Sequence, residues 1–191
     1  MFTELNSFFK NICRFDDATL EEIDKSFEVR HFPKKTQLLR QGEICRFEGF
    51  VVKGCLKTYF LNEAGHEVIL TFPIENWWVS DIASFHEQKP SRMFIETLED
   101  CTLLFINPQE KEYLLDRFPK LERAYRLMVQ RHLATYQERH YQSIAMTAEE
   151  RYEAFLERYP SIPHRVPQHL IASYLGVSPE FLSRIRSRKV K

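Results

Sequence analysis

The chain has 191 residues, 43% of them hydrophobic, with 27 basic side chains balancing 27 acidic ones; these values describe one or two small globular domains and exclude extended disorder. No apolar run reaches the ~18 residues of a membrane span, and the opening MFTELNSFFKNICRF lacks the apolar stretch of a secretion signal, so a cytoplasmic chain with no membrane partner is expected. Cys13, Cys45, Cys55 and Cys101 are scattered without a CxxC pair, which leaves zinc-ribbon and thioredoxin-like sites unsupported and points to reduced thiols.

In chain order, residues 1–26 read as helix in pieces. Acids open a turn at Asp16-Asp17, and Leu20, Ile23 and Phe27 share one helical face. Residues 27–107 change character, to short runs rich in Val, Ile, Phe, Tyr and Thr. Strands are expected at Phe47–Lys53, Cys55–Leu61, Glu67–Phe72, Met93–Thr97 and Cys101–Ile106, with a turn at Asn62–Gly65. Several short strands at this spacing argue for a small antiparallel sandwich or barrel. From Pro108 the pattern is helical. Gln109–Arg117 makes a short helix, and Leu121–Met146 then runs without Gly or Pro. Leu121, Tyr125, Met128, His132 and Thr135 fall at alternating four- and three-residue steps, a heptad-like seam. The helix is therefore expected to be a spine and dimer interface on those five residues; the competing reading lays it on its own β domain. Thr147-Ala148-Glu149-Glu150 is a capping box. It starts a helix ending near Pro160, with a loop at Ser161–His164.

The last stretch, QHLIASYLGVSPEFLSRIRSRKVK, is two helices joined at Gly-Val-Ser-Pro. Gly176 supplies a left-handed residue, Ser178 caps the next helix and Pro179 suits its first position. Ile171, Leu175, Val177, Leu182 and Ile185 can share one core, and small Ala172 allows close approach. From Arg165 onward there are six cations and one acid, Glu180, so the end of the chain fits an anionic partner. Such a pair resembles the helix-turn-helix of bacterial repressors and activators, whose second helix enters the major groove. Glu180 and Arg184 lie on one face, four residues apart, and suit contacts to base edges. Ser178, Ser183, Arg186, Arg188 and Lys189 suit phosphates.

The order β-rich domain, long helix, helix-turn-helix resembles the Crp/Fnr family of bacterial transcription regulators. Turn glycines Gly42, Gly54 and Gly65 and the run Gly176–Glu180 with Ser183-Arg184-Ile185 carry the likeness. The resemblance implies an α+β fold: a jelly-roll-like cyclic nucleotide-binding-like sensor over residues 1–118, a dimerisation helix over 119–146, and a helix-turn-helix domain over 147–191. Only Val190 and Lys191 follow the basic run, so little or no wing is expected. Pro179 stands where the family often has an Arg. A cyclic nucleotide pocket of this family carries Gly-Glu and, about ten residues on, Arg-Ser or Arg-Ala. Here Ser80-Asp81 replaces the first pair, Ser91 takes the phosphate Arg position, and Arg92 comes one residue late, which in a strand reverses its direction. No cofactor is expected, and cAMP is disfavoured; a different small-molecule effector can use Ser80, Asp81, Ser91 and Arg92.

The implied function is a homodimeric, non-enzymatic regulator on a pseudo-palindromic site in double-stranded DNA, with RNA polymerase as a further candidate partner. Two competing readings are a cupin-type metal enzyme, for which His66 and His86 stand isolated with no HxH, and a sensor or interaction module that no longer binds DNA. No metal site is expected; His132 and His140 read as interface residues.

Overall fold

The structure, a computed structural model, describes residues 2–189; the side chain of Lys189 and the whole of Val190 and Lys191 lie outside the described residues. The phosphate contact expected of Lys189 and the question of a wing therefore fall outside them too.

Two short helices open the chain, α1 (Phe2–Lys10) and α2 (Asp17–Lys25). Asp16 caps α2, its carboxylate accepting from the Thr19 N–H at 2.8 Å. Eight strands follow: β1 (Glu28–Phe32), β2 (Gln37–Leu39), β3 (Glu48–Lys53), β4 (Leu56–Leu61), β5 (Glu67–Thr71), β6 (Trp78–Val79), β7 (Phe94–Thr97) and β8 (Cys101–Ile106), with helix α3 (Ile82–Glu87) between β6 and β7. They form two antiparallel four-stranded sheets, ordered β1-β8-β3-β6 and β2-β7-β4-β5. Leu39, Val51, Leu56, Val79, Phe85, Ile95 and Leu103 form one core within this roll. The five expected strands are present. β1, β2, β6 and α3 add to them.

Asn107 caps α4 (Pro108–Arg117), and Pro119 opens α5 (Pro119–Ala145), 27 residues and so about 40 Å long. The expected dimer seam needs correction. Leu121, Tyr125 and Met128 are buried within their own chain, against Leu5, Phe9, Leu20, Ile23 and Phe50. His132 and Thr135 are half-buried and line a cavity against the roll. The outward stripe is displaced by one residue: Val129, Leu133 and Tyr136 are each more than half exposed, as is Ile144 further along. In a helix one residue is about 100° of rotation, so the exposed stripe lies beside the expected seam and not on it. The first turns of α5 serve the roll and the later turns are free for a partner.

Thr147 caps α6 (Ala148–Arg158) through a complete capping box. The expected loop at 161–164 is instead a one-turn helix, α7 (Ile162–Arg165). Then come α8 (Gln168–Leu175) and α9 (Pro179–Lys189). These C-terminal helices share a core with the roll: Tyr152, Phe155, Ile171 and Leu175 cluster with Cys55, Tyr59, Ile69 and Phe72. Polar contacts fix the docking. Ser173 Oγ donates to Glu67 O at 2.7 Å and accepts from Ile69 N–H at 3.1 Å, on strand β5. Arg165 grips Glu75 and Glu99 with four hydrogen bonds of 2.8–3.0 Å.

Candidate nucleic-acid interface

The α8–α9 hairpin is organised from its turn outward. Gly176 has φ +70°, and its N–H bonds to the last turn of α8. Ser178 Oγ accepts from Phe181 N–H at 3.2 Å, so α9 begins on a serine cap. Leu182 and Ile185 are buried in the shared core. Because they are three apart on one face, the opposite face of α9 must point away. Glu180, Ser183 and Arg184 are exposed there, and Arg186 and Arg188 are exposed on its flanks.

Their partners separate the roles. The Glu180 carboxyl lies below its usual range, held by its own backbone N–H, then Ser178 and the nearby charge of Arg184. No Glu180–Arg184 ion pair is made among the described residues; the Arg184 guanidinium rests 5.4 Å over the ring of Phe181. Phe181, 37% exposed, is a surface aromatic between the two base-reading candidates that sequence reasoning missed. Its signal was available, since it lies between the buried Leu182 face and Glu180. Arg188 is exposed and pairs with Glu149 of α6 at 2.9 Å, a surface ion pair. Ser178 is engaged as the cap. Ser183 and Arg186 stand exposed.

The four expected effector residues do not converge on one cavity. Ser80 Oγ donates to Phe47 O at 2.9 Å. Asp81 caps α3 through the Ser84 N–H and accepts the Ser91 hydroxyl at 2.7 Å. Ser91 is buried and Arg92 is exposed; both precede β7 (Phe94–Thr97) and lie outside any strand, so strand alternation does not set their directions. Asp81 and Arg92 line an outer cleft, whereas Ser80 lines an inner cavity of about 200 Å³ between the roll and α5. That cavity touches Trp77, Trp78, Tyr125 and His132. Burial pushes the His132 imidazole below its usual value of 6.5, so the ring is neutral at neutral pH. At the inner end, Lys111 Nζ donates to Glu48 Oε1 at 2.8 Å, a buried ion pair. Among the described residues, no group of three or more His, Cys, Asp or Glu is placed to hold a metal ion, and no helix is long and apolar enough to cross a membrane.

Residues 29–118 match the cyclic nucleotide-binding domain family. Over 188 residues the chain is 26% identical to the anaerobic regulatory protein of Pasteurella multocida, covering 92% of this chain and 68% of that one. It is 23% identical to the cAMP-activated global transcriptional regulator CRP of Salmonella typhimurium, over 55% of this chain and 50% of that protein; the match thus spans half of CRP. Among solved structures, the c-di-GMP responsive global regulator CLP of Xanthomonas campestris superposes with a TM-score of 0.73 at 18% identity, covering 91% of each chain. FixK2 of Bradyrhizobium japonicum superposes with 0.74 at 19% identity, over 85% of this chain and 83% of its own.

Proposed function

We propose that this chain, a transcription regulator of the Crp/Fnr type, reads duplex DNA with the exposed face of α9. Regulators of that type bind DNA and act as dimers, and the family is one of regulators rather than enzymes. The observation that carries the reading is the division of α9: Leu182 and Ile185 are buried while Glu180 and Arg184 stand exposed. Seated in a major groove, Arg184 matches the O6 and N7 acceptors of guanine, and Glu180 matches the N4 donor of cytosine. Phe181 supplies an apolar edge of the kind that meets a thymine methyl. Arg186 and Ser183 serve the phosphates. Two copies joined along α5 would present two such helices, which suits a pseudo-palindromic site in cytoplasmic DNA. RNA polymerase is the natural further partner of a regulator so placed.

The effector, on this reading, is not cAMP. Ser91 and Asp81 are bonded to each other, no guanidinium occupies the place of the phosphate ligand, and Arg92 faces out.

The test is genomic-fragment selection followed by fluorescence anisotropy across a salt series. Affinity should fall steeply with salt, as counterion release requires. Arg184→Ala should relax preference at one position per half-site, a loss of about 1–3 kcal/mol. Arg186→Gln should weaken all sequences alike and reduce the salt slope by about one. If Arg184→Ala leaves both affinity and preference untouched, α9 does not read bases through that side chain.

A further inference from the structure

A cleft of about 380 Å³ lies where strand β5, helix α5, helix α6 and the end of α8 meet. Arg139, Arg151 and Arg158 line it, with Gln142, Ser143 and Ser173, and no carboxylate lines it among the described residues. None of the three arginines forms an ion pair among them either. That is unusual in a chain whose acids and bases are equal in number. Elsewhere its buried or half-buried cations are paired: Lys57 with Glu67, Lys111 with Glu48, Arg165 with Glu75.

The three guanidiniums are nonetheless held in place, by neutral groups. Arg139 Nη1 donates to Leu70 O at 2.6 Å, and the group lies 4.2 Å over the Tyr174 ring. Arg151 donates to Met146 O and Leu175 O. Arg158 donates to Thr135 Oγ1 at 2.9 Å and lies over Tyr159. Arg139 and Arg158 line the same cleft as Tyr174. Each guanidinium has five N–H donors, so most remain available after these bonds. Fixed, uncompensated guanidinium forks on a recessed wall match the geometry of a phosphate.

We propose that this cleft binds a small phosphate-bearing anion through Arg139 and Arg158, with Arg151 positioning the end of α8 beside it. The chemistry required is a tetrahedral phosphate oxyanion, whether inorganic or the phosphate of a nucleotide. A DNA backbone fits less well, because strand β5 walls one side of the cleft and the exposed face of α9 is elsewhere. Because the walls come from the roll, the spine and the DNA-reading hairpin, an anion bound there would brace the hairpin against the sensor. The inference goes beyond the DNA reading and is tested without DNA, so the two can fail separately.

The experiment is titration calorimetry and thermal unfolding of the full chain with pyrophosphate, inorganic phosphate and ADP in separate arms. Ionic strength is held constant and sulfate serves as the control. A saturable rise in melting temperature with pyrophosphate or ADP, absent with sulfate, is expected; which of the two binds tighter tells the inorganic source from the nucleotide. Arg139→Gln risks loosening β5, so the deciding variant is Arg158→Gln, whose exposed side chain bonds Thr135 and lies over Tyr159 without holding a strand. It should weaken binding at least tenfold, whereas Arg30→Gln, on the far sheet, should not. Equal binding by Arg158→Gln overturns the proposal. So does a rise that sulfate reproduces, or displacement of pyrophosphate by duplex DNA, which would make the cations backbone contacts.

Discussion

Gly54 and Gly65 both have positive φ, +107° and +78°, yet they stand in different surroundings. A Cβ on Gly54 would meet Cys101 Sγ at 2.5 Å and the Asp100 carbonyl oxygen at 2.9 Å; one on Gly65 would meet nothing within 4 Å. Gly65→Ala should therefore cost only the left-handed strain, about 1–2 kcal/mol. Gly54→Ala adds overlap with fixed backbone, roughly 1–3 kcal/mol more. Urea midpoints of the two variants measure the difference directly, and equal midpoints would show that Asp100-Cys101 yields freely. Legibility at this scale follows chemistry that is local. The Gly176 turn, the Ser178 cap and the Thr147 box could be read because each works within four residues. The partners of Arg188, Ser91 and Arg139 could not, because Glu149, Asp81 and Leu70 come from other elements.

Helix α5 shows why a period is easier to read than a phase. Its apolar residues recur at heptad steps on two neighbouring stripes. Leu121, Tyr125 and Met128 face the chain's own core, and Val129, Leu133 and Tyr136 face out. Sequence alone cannot tell which stripe meets the partner, because α1 and α2, which cover the first, are distant in sequence. The same limit hid β1, β2 and β6. The last two are three and two residues long, too short for alternation to register. The exposed stripe has a consequence. If two copies pair along it, Leu133→Glu places a charge at the centre of an apolar contact and should convert the dimer to monomer. Met128→Leu, on the inner stripe, conserves volume and should leave the assembly unchanged. Sedimentation velocity across protein concentration distinguishes them. A Leu133→Glu chain that sediments as the wild type does would place any interface elsewhere.

At the scale of the molecule, the position of the α8–α9 hairpin depends on its grip on the roll. Arg165, just before α8, holds Glu75 and Glu99 from the sensor, while Glu75 also accepts the Gly54 N–H at 2.8 Å. Burial works to raise the Glu75 carboxyl, but the Arg165 and Gly54 bonds outweigh it, and the group ends below its usual 4.5. A carboxyl depressed in the folded state contributes stability that is fully present above its unfolded value and lost as pH falls through its folded one. The clamp should thus be intact at neutral pH and released only below about pH 4.5. Arg165→Gln leaves Glu75 and Glu99 facing each other without a cation, so it should lower the melting temperature at about pH 7. At acid pH, once below the lowered value of Glu75, that carboxyl is protonated and the gap should narrow. The narrowing follows from the sign of the Glu75 shift. A gap of the same size at both pH values would mean that Arg165 acts through packing of its stem, and that the charges do not hold the hairpin to the roll.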